Sequence, residues 1–247
     1  MGLSQAQLDF FHKEGYLSIG KLLEPAEIEV LRTEYDNEFR KAAEAGGARN
    51  LAEKKEEKGT GKTEQRMFQI INMCERNMHF RKLLYDTRLL DLVQDLLGPN
   101  IMLFHDQALF KPARHGGPVF WHQDNAYWRC LPANLVSCWM TLDDVKVDNG
   151  AMQVIPGSHL TPVHHGESNT DALKEISGVD EKKAVVVDLP AGGIMFHHCQ
   201  TLHYTAPNTT DRQRRAFAIH YMAPGTRQKD GETLRVSFAR PALRLSV

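Results

Sequence analysis

The sequence is short of the features that would place a protein outside the cell, in a membrane or on nucleic acid. Its four cysteines, Cys74, Cys130, Cys138 and Cys199, form no CxxC pair and no regular framework, which excludes a disulfide scaffold and reads as reduced thiols in a reducing compartment. No uninterrupted apolar run approaches membrane-spanning length, and Met1-Gly2-Leu3-Ser4-Gln5-Ala6 leads into an amphipathic stretch in place of a signal-peptide core. Ala6 stands where a myristoylation motif needs Ser or Thr, and Leu245-Ser246-Val247 is no peroxisomal address. Against 30 Lys and Arg stand 31 Asp and Glu, a net charge of −1, so there is no basic surplus to attract nucleic acid. The expected setting is the cytoplasm, with no membrane and no nucleic-acid partner.

What is present describes a globular chain. With 42% hydrophobic and 25% charged residues over 247 positions it can bury a substantial core, and β-rich folds of this length commonly form one unit. One domain over 1–247 is expected, with a helical part at about 1–98, a β core at about 99–225 and a tail over 226–247. Ser4-Gln5-Ala6-Gln7 is a capping box before Leu8, Phe10 and Phe11, which predicts a helix over 5–13 that stops at Gly15. Tyr16 to Ile19 reads as a strand, and Pro25 opens a second helix at its first turn. From 46 to 65 the composition turns to glycine and mixed charge, which fits a solvated loop or a lid over a substrate. Residues 66–74 look strand-like, and the leucines over 80–97 predict one helix that faces the core.

Beyond Gly98-Pro99-Asn100 the pattern shifts to short β-rich runs at 101–110, 119–121, 135–142, 152–155, 184–189, 194–197 and 216–221. Asn149-Gly150 predicts a hairpin turn, and Pro156-Gly157-Ser158-His159 the next turn. Helices first and strands afterwards predict an α+β fold. Its core would be a double-stranded β-helix, the jelly-roll or cupin-like arrangement, with flanking N-terminal helices.

One stretch concentrates chemistry. Val119-Phe120-Trp121-His122-Gln123-Asp124-Asn125-Ala126-Tyr127-Trp128 is rich in aromatic and β-branched residues and reads as a strand. Residues two apart on a strand share a face, so His122 and Asp124 can converge on one metal while Gln123 turns away. A second histidine would complete the two-His-one-carboxylate face that holds non-haem Fe(II) with open positions. The adjacent pairs His164-His165 and His197-His198 can each supply at most one ligand, because neighbours on a strand face opposite sides. His203 opens a late strand, where a structural imidazole is the common finding. Arg214, eleven residues on, tips the balance: its guanidinium could clamp a dicarboxylate whose other end chelates the metal.

The order His122-x-Asp124, Asn149-Gly150, Pro156-Gly157-Ser158-His159, His203 and Arg214 resembles the phytanoyl-CoA hydroxylase-like family of Fe(II)- and 2-oxoglutarate-dependent dioxygenases. The likeness runs from Phe11-x-x-Glu14-Gly15-Tyr16 through Leu97-Gly98-Pro99-Asn100 to Tyr221. It implies that His122, Asp124 and His203 ligate iron and are the catalytic centre, and that Arg214 binds the distal carboxylate of 2-oxoglutarate. Thr205 would assist Arg214, Trp139 would line the cosubstrate pocket, and Gln107 would be a further cosubstrate contact. Gln69 is a candidate for an N-terminal contact, to the substrate. Fe(II), 2-oxoglutarate and O2 are the implied cofactors, and the implied reaction hydroxylates a small molecule while 2-oxoglutarate becomes succinate and CO2. Asp124 favours oxygenation over halogenation, because halogenating relatives carry a small residue there.

The substrate is not legible. Phe104, Trp121, Tyr127 and Trp128 could wall a pocket for it, although aromatic residues around a β core more often pack. Lys111, Arg114 and Arg129 read as scattered surface cations. The same iron centre could also desaturate, epimerise or close rings. Two further classes stay open, a cupin-like Zn2+ or Mn2+ hydrolase or isomerase in which Arg214 has no explanation, and a catalytically silent jelly-roll binding module.

Overall fold

The N-terminal helix α1 (Gln5–Glu14) forms where its capping box predicts it: Ser4 and Gln7 each accept from the other's backbone N–H, and Gly15 closes the helix at φ 79°. The computed structural model describes residues 2–45, 47–53, 66–161, 163, 165–166, 176 and 178–246. The chain then runs through β1 (Tyr16–Lys21), α2 (Pro25–Glu44), β2 (Arg49–Asn50) and β3 (Phe68–Ile71). Most of the candidate lid over 46–65 lies outside the described residues.

Two expectations change between 66 and 97. The strand ends at Ile71, and Asn72, at φ 59°, turns the chain into the short helix α3 (Met73–Arg76). The leucine-rich run forms two helices, α4 (Met78–Leu83) and α5 (Thr87–Leu97), because the Asp86 side chain accepts from Arg88 N and caps a new start. The apolar pattern runs on across this break and does not reveal it.

The β-rich half contains β4 (Ile101–Lys111), β5 (Val119–His122), the short helix α6 (Asn125–Trp128), then β6 (Cys130–Leu131), β7 (Val136–Thr141), β8 (Met152–Val154), β9 (Val185–Val187), β10 (Gly193–His198), β11 (His203–Thr205), β12 (Arg214–Met222), β13 (Arg227–Gln228) and β14 (Ala242–Arg244). A large sheet has the order β1-β10-β7-β12-β4-β3-β2, with β14 also on β4, and a small one has the order β5-β11-β8-β9. The strands at 16–21, 49–50, 68–71 and 242–244 join the large sheet, so the sheet draws on residues outside 99–225. Asn149-Gly150 is a crossover and not a hairpin. A 3-10 turn over Val147–Asn149 and Gly150 at φ 93° carry the chain from β7 in one sheet to β8 in the other. At 156–159 the expected turn is present, with Gly157 at φ 73°.

The large sheet is buried on both faces, and the alternation along its strands sorts residues between them. Phe217, Ile219 and Tyr221 of β12, Val136, Cys138 and Met140 of β7, and Ile194 and Phe196 of β10 pack into the apolar core with the helices. Between the sheets, Trp139, Met195, Ala216 and Ala218 meet Met152, Val154 and Val187. This second layer stops short of closure and leaves the cavity described next. No helix among the described residues is long and apolar enough to cross a membrane.

Candidate metal centre

His122 ends β5 and His203 begins β11, and the two are directly opposite in the antiparallel ladder. Cross-strand partners share a face, so the imidazoles meet with ring centroids 4.1 Å apart. Asp124 arrives differently from the strand expectation. The strand stops at His122, and Asp124 already has helical angles, φ −53° and ψ −42°, as it starts α6. That turn swings its carboxylate back under the histidines, with Oδ1 at 3.6 Å from His122 Nε2 and 3.6 Å from His203 Nε2. One ligand atom from each of the three lies within 4.8 Å of the others, and all three residues are buried.

The tautomers are fixed by carbonyl oxygens, which can only accept. His122 Nδ1 donates to Phe120 O at 2.7 Å, and His203 Nδ1 donates to Thr201 O at 2.9 Å. Each therefore turns a bare Nε2 lone pair toward the other two groups. Burial pushes His203 well below its ordinary value, so that lone pair stays free. Burial resists the charge on Asp124, but hydrogen bonding at its second oxygen, from His197 among others, helps hold the carboxyl well below the usual range. Two imidazole nitrogens and one carboxylate oxygen suit a first-row divalent ion.

The second oxygen of Asp124 is held from behind. His197 Nε2 lies 3.1 Å from Oδ2 and Ser137 Oγ 3.3 Å from it. Ser137 is bonded in turn to His220 Nδ1 at 2.7 Å, and His220 Nε2 to Gln107 Nε2 at 2.8 Å. Gln107 then accepts from Gln69 Nε2. Burial keeps His220 well below its ordinary value and neutral.

Arg214 is fully buried and forms no ion pair with a carboxylate among the described residues. Its Nη1 donates to Leu109 O at 2.9 Å, its Nε has no partner there, and Trp139 lies 5.9 Å from its Cζ. Burial pushes its value down to about 10. A guanidinium so placed is costly unless an anion joins it. Beside it, Thr205 Oγ1 is also buried without a partner among the described residues. The triad, Arg214 and Thr205 open into a single cavity of about 310 Å³.

The family model of phytanoyl-CoA dioxygenase (PhyH) matches residues 11–216. This chain belongs to the phytanoyl-CoA dioxygenase family. It is 32% identical over 140 residues to a probable alpha-ketoglutarate-dependent hypophosphite dioxygenase of Stutzerimonas stutzeri, a match to 53% of this chain and 49% of that protein, about half its length. Phytanoyl-CoA dioxygenase of Arabidopsis thaliana is 25% identical over 248 residues, with 88% of each chain covered. The crystal structure of the epimerase SnoN in complex with Fe3+, alpha ketoglutarate and nogalamycin RO shares the cupin-like fold. Its TM-score is 0.77 at 22% identity, over 97% of this chain and 98% of that one.

In this dioxygenase-family chain the cavity gathers most of the residues singled out in the sequence. Gln69, Gln107, Tyr127, Trp128 and Trp139 line it with the triad, Thr205 and Arg214. Two candidates are elsewhere. Trp121 precedes His122 on the strand and so faces away; it stacks on Tyr204 at 5.4 Å and donates to Glu181. Phe104 sits at an irregularity in β4 and packs on Trp128 and the cluster of Met102, Cys130 and Leu135 outside the cavity wall. Lys111 is no surface cation. It is wholly buried and donates from Nζ to Thr205 O and Ala206 O, which ties the two sheets together. Arg114 and Arg129 are exposed, as expected.

Of the residues behind Asp124, sequence reasoning passed over Ser137 and His220 and weighed His197 only as a possible ligand. Ser137, His197 and His220 each interrupt an otherwise apolar strand on the parity opposite the helix-facing core, and that parity is the signal that could have found them. Of the other histidines weighed as a ligand, His198 faces His159 at 5.3 Å, and His165 Nε2 accepts from Gln123 N. His164 lies outside the described residues.

Proposed function

We propose that this chain is an Fe(II)- and 2-oxoglutarate-dependent oxygenase that hydroxylates a small organic molecule and releases succinate and CO2. The observation that carries this reading is the fully buried Arg214, without a carboxylate partner among the described residues, in the cavity that also holds His122, Asp124 and His203. A keto-diacid meets both demands, with one carboxylate for the guanidinium and a chelating end for the metal. His122 Nε2, Asp124 Oδ1 and His203 Nε2 are the assigned ligands. Arg214 binds the distal carboxylate, Thr205 donates its hydroxyl to the same group, and Trp139 and Gln107 wall the cosubstrate.

When bound, the iron supplies the redox chemistry that couples oxidation of 2-oxoglutarate by O2 to cleavage of a substrate C–H bond. The chain supplies position and a dry site. His197 and Ser137 occupy Asp124 Oδ2 and leave Oδ1 for the ion. Tyr127 and Trp128 line the cavity with aromatic surface, which favours a dry site. The family resemblance covers relatives named as dioxygenases, and an enzyme of the same fold is named an epimerase, so the fate of the substrate is read from its product. The four free, buried cysteines support a reducing compartment, the cytoplasm.

The test is turnover. Protein supplied with Fe(II), 2-oxoglutarate and O2 should form succinate, faster when a metabolite pool is added. A gain of one oxygen in a pool component marks hydroxylation, a loss of two hydrogens marks desaturation or ring closure, and an unchanged mass at a new retention time marks epimerisation. No succinate under any of these conditions, or turnover with Zn2+ or Mn2+ in the absence of O2, would overturn the reading.

A further inference from the structure

The hydrogen bonds that run from Asp124 to the cavity wall have a direction. Asp124 Oδ2 is an acceptor only, so the Ser137 hydroxyl donates to it. The Ser137 oxygen then accepts from His220 Nδ1–H, which leaves His220 Nε2 as a lone pair that accepts from the Gln107 amide nitrogen. Gln107 therefore presents its carbonyl oxygen to Gln69 Nε2. With its nitrogen committed, Gln69 has Oε1 left as an acceptor; the side chain lines the cavity, and that atom is buried with no partner among the described residues. The charge of one carboxylate thus fixes the polarity of a group four side chains away.

We propose that Gln69 Oε1 is a specificity-determining acceptor that receives a hydrogen bond from a hydroxyl or N–H group of the organic substrate. This rests on the function proposed above and narrows its substrate to molecules with such a donor near the reacting carbon. Ionised 2-oxoglutarate offers only acceptors, and O2 offers no donor, so neither can satisfy Oε1. The substrate is the one reactant that can. A site built around such a bond rejects an analogue that lacks the donor far more strongly than shape alone would.

Two measurements test this. In metal-free protein labelled with 15N-histidine, NMR should place the single ring proton of His220 on Nδ1. A proton on Nε2 would turn the Ser137 hydroxyl from Asp124 to His220 Nδ1, reverse the bonds through Gln107, make Gln69 a donor and overturn the proposal. In the second, matched alcohol and methyl-ether pairs, benzyl alcohol with benzyl methyl ether and cyclohexanol with methoxycyclohexane, are offered to protein with Zn2+ and 2-oxoglutarate, and affinities are read by ligand-observed NMR. The wild type should prefer each alcohol by about tenfold, the worth of one hydrogen bond, and Gln69→Met, which keeps length and removes the acceptor, should lose the preference. Equal affinity within each pair, binding of neither member, or a preference that survives Gln69→Met would overturn it. The histidine measurement needs neither iron nor 2-oxoglutarate, so failure of the turnover assay and failure of this inference are separate results.

Discussion

The two faces of the large sheet are built from the same strands and do opposite work. On the helix side, Phe217, Ile219 and Tyr221 of β12 are buried in one apolar cluster with α2, α4 and α5 residues such as Tyr35, Phe80 and Leu89. On the other side, the alternate residues of the same strand are Arg214, Ala216, Ala218 and His220: two alanines that leave room, between a buried cation and a buried imidazole. β7 repeats the contrast, with Val136, Cys138 and Met140 outward and Ser137 and Trp139 inward. The lesson is a division of cost. Apolar burial on one face stabilises the strands enough for the other face to carry uncompensated polar groups, which by themselves oppose folding.

Substitutions on the two faces should therefore separate activity from stability. The largest effect is expected at the site, where His203 of the small sheet lines the cavity opposite the inner face of the large sheet. His203→Ala removes one of three convergent groups, and 2-oxoglutarate turnover should fall by at least about a thousandfold, with the melting temperature of metal-free protein nearly unchanged. Phe217→Ala, in β12 of the large sheet and on its helix face, should do the reverse. It opens a cavity in a closed core and should cost about 3–5 kcal/mol in denaturant unfolding, while the kcat of the folded fraction is retained. If both variants lost activity and stability together, the faces would not be independent.

A sharper division lies within the site face. Arg214→Ala should weaken 2-oxoglutarate binding by about a hundredfold or more, the scale of a buried charged pair, and leave Fe(II) affinity nearly untouched in calorimetry. Equal loss of both would mean that Arg214 acts on the metal and not on the cosubstrate. The smallest effect concerns pH and the rim of the sheet. Burial, with His159 and His197 nearby, pushes His198 down to about 4 from an ordinary 6.5. Between these values the unfolded chain holds a proton that the folded chain does not, so stability rises with pH through that window and is lost as pH falls through it. His198→Asn should make the loss of melting temperature between pH 6.5 and pH 4 shallower. An identical or steeper loss would remove His198 from the explanation.

The sequence was most legible where chemistry repeats at short range. His122 and Asp124 two residues apart, the box at Ser4 and the apolar strands all announce themselves locally. Even there the reason differed, since Asp124 reaches the histidines through the first turn of α6 and not along a strand. Trp121 was misplaced against the same alternation rule: a strand that turns His122 inward must turn Trp121 outward. Asp86 split a leucine pattern that periodicity alone joins. Ser137, His197 and His220 were harder, because what unites them is the ladder of β10, β7 and β12, and pairing between residues 54 to 85 positions apart leaves no local mark. Lys111 looked like any surface lysine because nothing nearby in the chain shows that Thr205 O and Ala206 O wait for it.

The central claim is that three side chains and one guanidinium share a single centre. Anoxic crystals loaded with Fe(II) and 2-oxoglutarate, measured by anomalous diffraction at the iron edge, test it most directly. The expected result is one iron peak bonded to His122 Nε2, Asp124 Oδ1 and His203 Nε2, with the chelated keto-acid's far carboxylate on Arg214. Iron bound without His203, or a 2-oxoglutarate whose free carboxylate lies away from Arg214, would contradict it.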